Sequence, residues 1–165
     1  PGHAERIAAM TRTMCHRGPD DEGSWHDATI SLGQRRLSII DLTTGQQPLA
    51  NEDESLWIVF NGEIYNHAEI RQELLKIGGH RWKTDHSDTE VILHAFEQWG
   101  IDCVQKFRGM FAIALWDLRR HRLLLCRDRL GEKPLYYSVS PRRLLFASEV
   151  KALLRDLRGR TSFLN

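Results

Sequence analysis

The sequence predicts an α+β fold with antiparallel sheets. Two observations carry this: helical periodicity clusters early in the chain, and the later apolar runs pair off as hairpins about short turns. A third refines it. Phe111 to Trp116 and Arg122 to Arg127 carry apolar residues on both faces, so their sheet should be covered on both sides. The length, 165 residues, suits one domain with a full-sized core.

Ile7, Met10 and Met14 are spaced three and four apart and predict an opening helix. A turn over residues 16–23 follows, then strands over Gly23 to His26, Ala28 to Leu32 and Leu37 to Ile40. Leu56 to Phe60 forms the next strand. Asn66 with Glu69 reads as a capping box opening a helix whose apolar stripe is Ile70, Leu74 and Ile77, closed by Gly78. Ser87-Asp88-Thr89-Glu90 is a second capping box, with Ile92, Ala95, Phe96 and Trp99 at helical spacing before Gly100. Leu135 to Val139 and Arg143 to Ala147 make a hairpin about Ser140-Pro141-Arg142, and a short helix ends near Leu157.

Composition excludes several classes of function. Net charge is +1, from 23 basic and 22 acidic residues, which leaves no electrostatic footprint for nucleic acid. No apolar run is long enough to cross a membrane and no signal peptide is visible, so cytoplasm is the expected address. Cys15, Cys103 and Cys126 have no metal-ligand spacing and are expected to be structural, not nucleophilic. The eight histidines form no His-x-x-x-His pair, and no metal site is expected.

The densest chemical signal is Asn61-Gly62-Glu63, reached directly from an apolar strand. Asn-Gly is a hairpin signal, yet an amide side chain beside an unhindered backbone N–H is also a donor pair for a developing oxyanion. Ile64-Tyr65 is too short for a returning strand, which favours the site. Arg36 is either a surface residue or a fork for a carboxylate. Asp88 either answers a helix dipole or, with Glu63, receives an ammonium group. Arg17 lies in a turn. Taken together, these residues describe a pocket for an α-amino acid.

Several runs carry a family resemblance: His16-Arg17-Gly18-Pro19-Asp20, Arg35-Arg36-Leu37-Ser38-Ile39-Ile40-Asp41, Gln47-Pro48-Leu49 and Asn61-Gly62-Glu63-Ile64-Tyr65-Asn66-His67. Ser87-Asp88-Thr89-Glu90-Val91-Ile92, Arg108-Gly109-Met110-Phe111-Ala112, residues 127–137 and Phe146-Ala147-Ser148-Glu149 continue in order across nearly the whole chain. The sequence thereby resembles class II, N-terminal nucleophile, glutamine amidotransferase domains, most closely the glutaminase half of asparagine synthetases. The resemblance implies a four-layer αββα sandwich over residues 1–157, with 158–165 a tail or the start of a linker. It implies an oxyanion hole from the Asn61 side chain and the Gly62 N–H. Arg36, with Leu37, Ser38, Ile39 and Ile40, would bind the glutamine carboxylate, Glu63 and Asp88 the α-amine, and Arg17 and Asn66 would support the site.

It further implies L-glutamine as substrate and a C-terminal ATP-dependent synthetase domain as partner. ATP and Mg would belong to that domain, with no cofactor here. The acceptor of ammonia and the oligomeric state, including a homo-oligomer, stay open. One departure matters. The family's nucleophile is an N-terminal cysteine, whose α-amine titrates near ~8 and can act as base toward its own thiol; residue 1 here is Pro1. A chain starting inside a helical pattern is expected to lack a leading strand that bears this cysteine. The alternative is a glutamine-binding or docking module without a nucleophile.

Overall fold

The computed structural model describes residues 2–36 and 46–157. In chain order its elements begin with α1 (His3–Arg12), a 3-10 turn (Cys15–Arg17), β1 (Asp21–His26), β2 (Ser31–Arg36), β3 (Leu49–Ala50) and β4 (Leu56–Ile64). There follow α2 (His67–Ile77), α3 (Asp88–Trp99), a 3-10 run (Gly100–Lys106), β5 (Gly109–Asp117), β6 (Arg122–Arg127), β7 (Tyr136–Ser140), β8 (Arg143–Ala147) and α4 (Val150–Leu157). All strand pairs are antiparallel. No helix among the described residues is long and apolar enough to cross a membrane. The chain divides into two units, Pro1–Ile40 with Pro134–Asn165, and Asp41–Lys133.

In the first unit, β1 pairs with β2 and β7 with β8. Met10 of α1 is buried with Ala147, Ala152 and Leu153, and Met14 packs on that cluster from beyond the helix end. Cys15 sits in the 3-10 turn rather than in the helix expected for it. The strand expected over Ala28 to Leu32 starts only at Ser31. Asp27 explains the delay: its carboxylate accepts the Thr29 and Ile30 N–H groups at 2.6 and 2.7 Å, spending those donors on the turn. The strand expected over Leu37 to Ile40 and the tail 158–165 lie outside the described residues.

The second unit is one sheet, ordered β3-β4-β5-β6, with α2 and α3. Leu56, Ile58, Phe60 and Ile64 of β4 join Phe111, Ile113 and Leu115 of β5, Ile70 and Leu74 of α2, and Val91, Ile92 and Ala95 of α3 in a single core. Every residue of β5 from Phe111 to Asp117 is buried, as its two-faced apolar pattern predicted.

Four local expectations are corrected. β4 does not end at Phe60 but continues through Asn61, Gly62 and Glu63 to Ile64, because β5 supplies ladder partners as far as Gly109. Ile77 is exposed, so the stripe of α2 is Ile70 and Leu74. Asn66 occupies the N-cap position of α2, but its side chain makes no capping hydrogen bond. It bridges instead to the chain entering β5, donating to Lys106 O at 3.0 Å and accepting from Arg108 N–H at 2.9 Å. The second capping box forms by half. Ser87 Oγ accepts the Glu90 N–H at 3.3 Å, while the Glu90 carboxylate takes the Lys83 and Thr84 N–H groups.

Candidate active site

Ladder parity determines what β4 can offer a ligand. Alternate residues of an antiparallel strand turn their N–H and C=O groups to opposite edges. Phe111 is committed to β6, exchanging bonds with Asp128 through its C=O at 2.8 Å and its N–H at 3.2 Å. Its register partner Gly62 therefore turns its N–H away from β5. Phe60 and Ile64 share that outer edge. The Phe60 N–H goes to Gln47 Oε1 at 2.7 Å and the Ile64 N–H to Asp88 Oδ2 at 3.1 Å. The Gly62 N–H lies between these two anchored donors, about 7 Å from each, and meets no acceptor among the described residues. On the pleat face opposite Phe60, the Asn61 amide also has no partner among the described residues. Among the described residues, an unengaged side-chain donor and an unengaged backbone donor thus sit on adjacent positions.

Glycine is required at this point for a steric reason. Gly62 has φ +150°, and a Cβ there would stand 2.0 Å from Met110 O and 2.7 Å from Phe111 Cα. Gly109, across the ladder, meets Glu63 O the same way: a Cβ would lie 2.1 Å from it. The two backbones approach closely enough to exclude side chains, and this fixes the orientation of the Gly62 N–H.

Carboxylates flank the donors. Glu63, exposed, lies two residues after Asn61 on the same strand face. Asp88 heads α3, half-buried. Burial pushes its carboxyl above the usual range; the Ile64 N–H and His67 oppose this, while the nearby Glu63 charge adds to it. The structure thus brings Asn61, Gly62, Glu63 and Asp88 together, with Asn66 bracing the approach to β5.

Arg17 and Arg36 belong to the other unit. Arg36 is half-buried at the end of β2, opposite Asp21. Arg17 donates to Glu149 Oε1 at 3.3 Å, and the same carboxylate receives His16 Nε2 at 2.8 Å and Lys151 Nζ at 3.0 Å. Leu37, Ser38, Ile39 and Ile40 lie outside the described residues. Cys103 and Cys126 offer no activated thiol. Burial, then the neighbouring Cys126, pushes the Cys103 thiol up to about 12, and burial also raises Cys126.

Sequence reasoning missed Gln47 and Asp128. Gln47 joins β4 to α3, donating to Thr89 Oγ1 at 3.3 Å while accepting from Phe60. Asp128 is buried, which alone would raise its carboxyl, but N–H groups of Lys133, Glu132 and Phe111 outweigh that and hold it at about 2. Only the motifs that contain these residues hinted at a role, because each acts across a long sequence separation.

Residues 2–163 match the family model of a glutamine amidotransferase domain. Asparagine synthetase [glutamine-hydrolyzing] 1 of Bacillus subtilis (strain 168) is 47% identical over 150 residues, covering 91% of this chain and 23% of the relative. Asparagine synthetase [glutamine-hydrolyzing] 2 of the same organism is 46% identical over 147 residues, covering 89% and 19%. That of Oryza sativa subsp. japonica, also numbered 2, is 41% identical over 159 residues, covering 96% and 26%. The chain therefore spans about a fifth to a quarter of the length of these curated relatives. A solved structure of glutamine phosphoribosylpyrophosphate (PRPP) amidotransferase from B. subtilis, complexed with ADP and GMP, shares the fold at TM-score 0.59 and 24% identity, covering 78% of this chain and 29% of that one. With its amide–glycine donor pair built into a sheet edge and its motifs matched from end to end, the chain belongs to the glutamine amidotransferase domain family.

Proposed function

We propose that these residues form the glutaminase domain of an asparagine synthetase-like enzyme. The domain hydrolyses L-glutamine to glutamate and ammonia, and the ammonia passes to an ATP-dependent amidation of a carboxylate elsewhere in the protein. The observation that carries the reading is the β4 edge, where the Gly62 N–H stands between two satisfied donors with the Asn61 amide beside it. An oxyanion hole needs such preorganised donors, free before the charge develops.

For the two ends of glutamine, the family resemblance assigns the α-carboxylate to Arg36, with Leu37 to Ile40, and the α-ammonium to Glu63 and Asp88. A thiolate then adds to the side-chain carboxamide carbon, and the carbonyl electron pair moves onto oxygen, where Asn61 and Gly62 stabilise it. Collapse expels ammonia, which leaves with the proton the thiol gave up, and forms a thioester. Water cleaves the thioester to glutamate and restores the thiol. The base for this step is the α-amine of the same cysteine. Cys15, Cys103 and Cys126 are internal and have no such amine; the reading requires a cysteine that bears one. This domain needs no cofactor; ATP and Mg serve the amidation step. The proposed compartment is the cytoplasm.

The test is Asn61→Ala in the intact natural protein, whose N-terminal residue is determined alongside. Loss of one oxyanion donor lowers kcat for glutamine hydrolysis by roughly 10²–10³, or about 2.7–4 kcal/mol, with glutamine affinity largely kept. Glutamine binding with no ammonia release by the unmodified protein would instead identify a binding module. Unchanged hydrolysis in Asn61→Ala would refute the oxyanion assignment.

A further inference from the structure

Outside the candidate active site, three segments of the second unit converge on one buried polar cluster. His94 and Glu97 lie three residues apart on the same face of α3. His80 comes from the connection between α2 and α3, and Glu52 from the turn between β3 and β4. His94 is 1% exposed and the His80 side chain 8% exposed. Glu97 Oε2 is 2.7 Å from His94 Nδ1 and 3.2 Å from His80 Nδ1. Glu52 Oε2 is 3.9 Å from His94 Nδ1, beyond hydrogen-bond reach, and is buried with no hydrogen-bond partner.

We propose that His80, His94 and Glu97 form a binding site for a divalent transition-metal ion of zinc chemistry. Their ligand atoms all lie within 4.8 Å of one another. Zinc bonds of about 2.0–2.2 Å in a tetrahedron separate ligand atoms by roughly 3.3–3.6 Å. Glu97 Oε2 is 2.7 and 3.2 Å from the two imidazole nitrogens, so small outward shifts open the space for one ion. Two imidazole nitrogens with a carboxylate oxygen suit zinc better than calcium or magnesium, which prefer all-oxygen shells.

Glu90 Oε1 stands 3.7 Å from His94 Nε2, beyond hydrogen-bond reach, on the far side of the ring from the nitrogen that would bind metal. Asn51 Nδ2 donates to Glu97 Oε1 at 2.7 Å and leaves Oε2 facing the histidines. A metal here would pin the His80 connection to α3. None of its ligands is among the residues assigned to glutamine.

The natural protein, stripped with chelator, is titrated with zinc and separately with cobalt(II), and bound metal is measured directly. About one zinc per chain is expected at this site. Cobalt(II) should show the visible bands of four-coordinate geometry without a thiolate charge-transfer band. His80→Ala and Glu97→Gln, each checked for folding by circular dichroism, should lose at least the roughly 10–100-fold in affinity that even an outer-shell change costs. Failure of the wild type to bind stoichiometric zinc would overturn the proposal and leave a hydrogen-bonded imidazole–carboxylate network. A thiolate band, or undiminished binding in both folded variants, would overturn it by moving the metal elsewhere.

Discussion

Replacing Gly62 with alanine tests the sheet register and the active-site reading in one protein. The added Cβ would lie 2.0 Å from Met110 O and 2.7 Å from Phe111 Cα, both backbone atoms of β5. The closer approach is about 1.4 Å short of ordinary contact. No rotamer change relieves it, since neither side is a flexible side chain. A residue with Cβ at φ +150° adds backbone strain of roughly 1–3 kcal/mol, and overpacking adds roughly 1–3 kcal/mol. Together they lower the melting transition of the domain by roughly 4–24 °C, at about 2–4 °C per kcal/mol for this size. The same displacement moves the Gly62 N–H by a distance that costs about 10²-fold in a preorganised site. Thermal unfolding followed by circular dichroism and ammonia release from glutamine measure the two effects. A Gly62→Ala protein that melts within 2 °C of wild type and hydrolyses glutamine normally, against the ~4 °C minimum expected here, refutes both the close approach and the donor assignment.

Other consequences follow from single residues. The raised carboxyl of Asp88 means that ammonium recognition fails on acidification at a higher pH than an ordinary aspartate would allow. KM for glutamine should therefore climb at the acid end while Asp88→Asn shows a high, flat KM, and ammonia-dependent synthesis should be spared in that variant; an equal fall in both activities would remove Asp88 from the site. Asp128 is held at about 2 against an ordinary 3.8, so its stabilisation is fully present above about pH 4 and lost as pH falls toward 2. Asp128→Asn should cost about 1–3 kcal/mol in urea unfolding at neutral pH and flatten the acid limb. Because Asn66 bridges Lys106 and Arg108 rather than capping α2, Asn66→Asp should destabilise by about 1–3 kcal/mol despite being a good N-cap. Full stability in Asn66→Asp would restore the capping role.

Elements were legible where local physics dominates. The hairpin about Pro141-Arg142, α1, α3 and the Gly78 and Gly100 helix ends follow from spacing and capping chemistry. Boundaries slipped where a partner strand or a side chain intervened. β4 runs to Ile64 because β5 continues the ladder, and Asp27 postpones β2. In the site, Asn61 and Gly62 announced themselves as residue types, while the occupancy of neighbouring donors by Gln47 and Asp88 did not.

Sequence alone determined the family and the antiparallel α+β class, and it nominated the pocket residues. Each of those rests on ordered motifs, short-range periodicity or side-chain chemistry that does not depend on what else is nearby. Tertiary structure decided which donors remain unengaged and which side chains are committed elsewhere. A backbone N–H carries no sequence signature of its own; whether Gly62 offers one to a ligand depends on the parity of a ladder fixed by Phe111 and Asp128. The convergence of His80, His94, Glu97 and Glu52 is of the same kind, since residues dozens of positions apart become neighbours only when the helices close on the sheet.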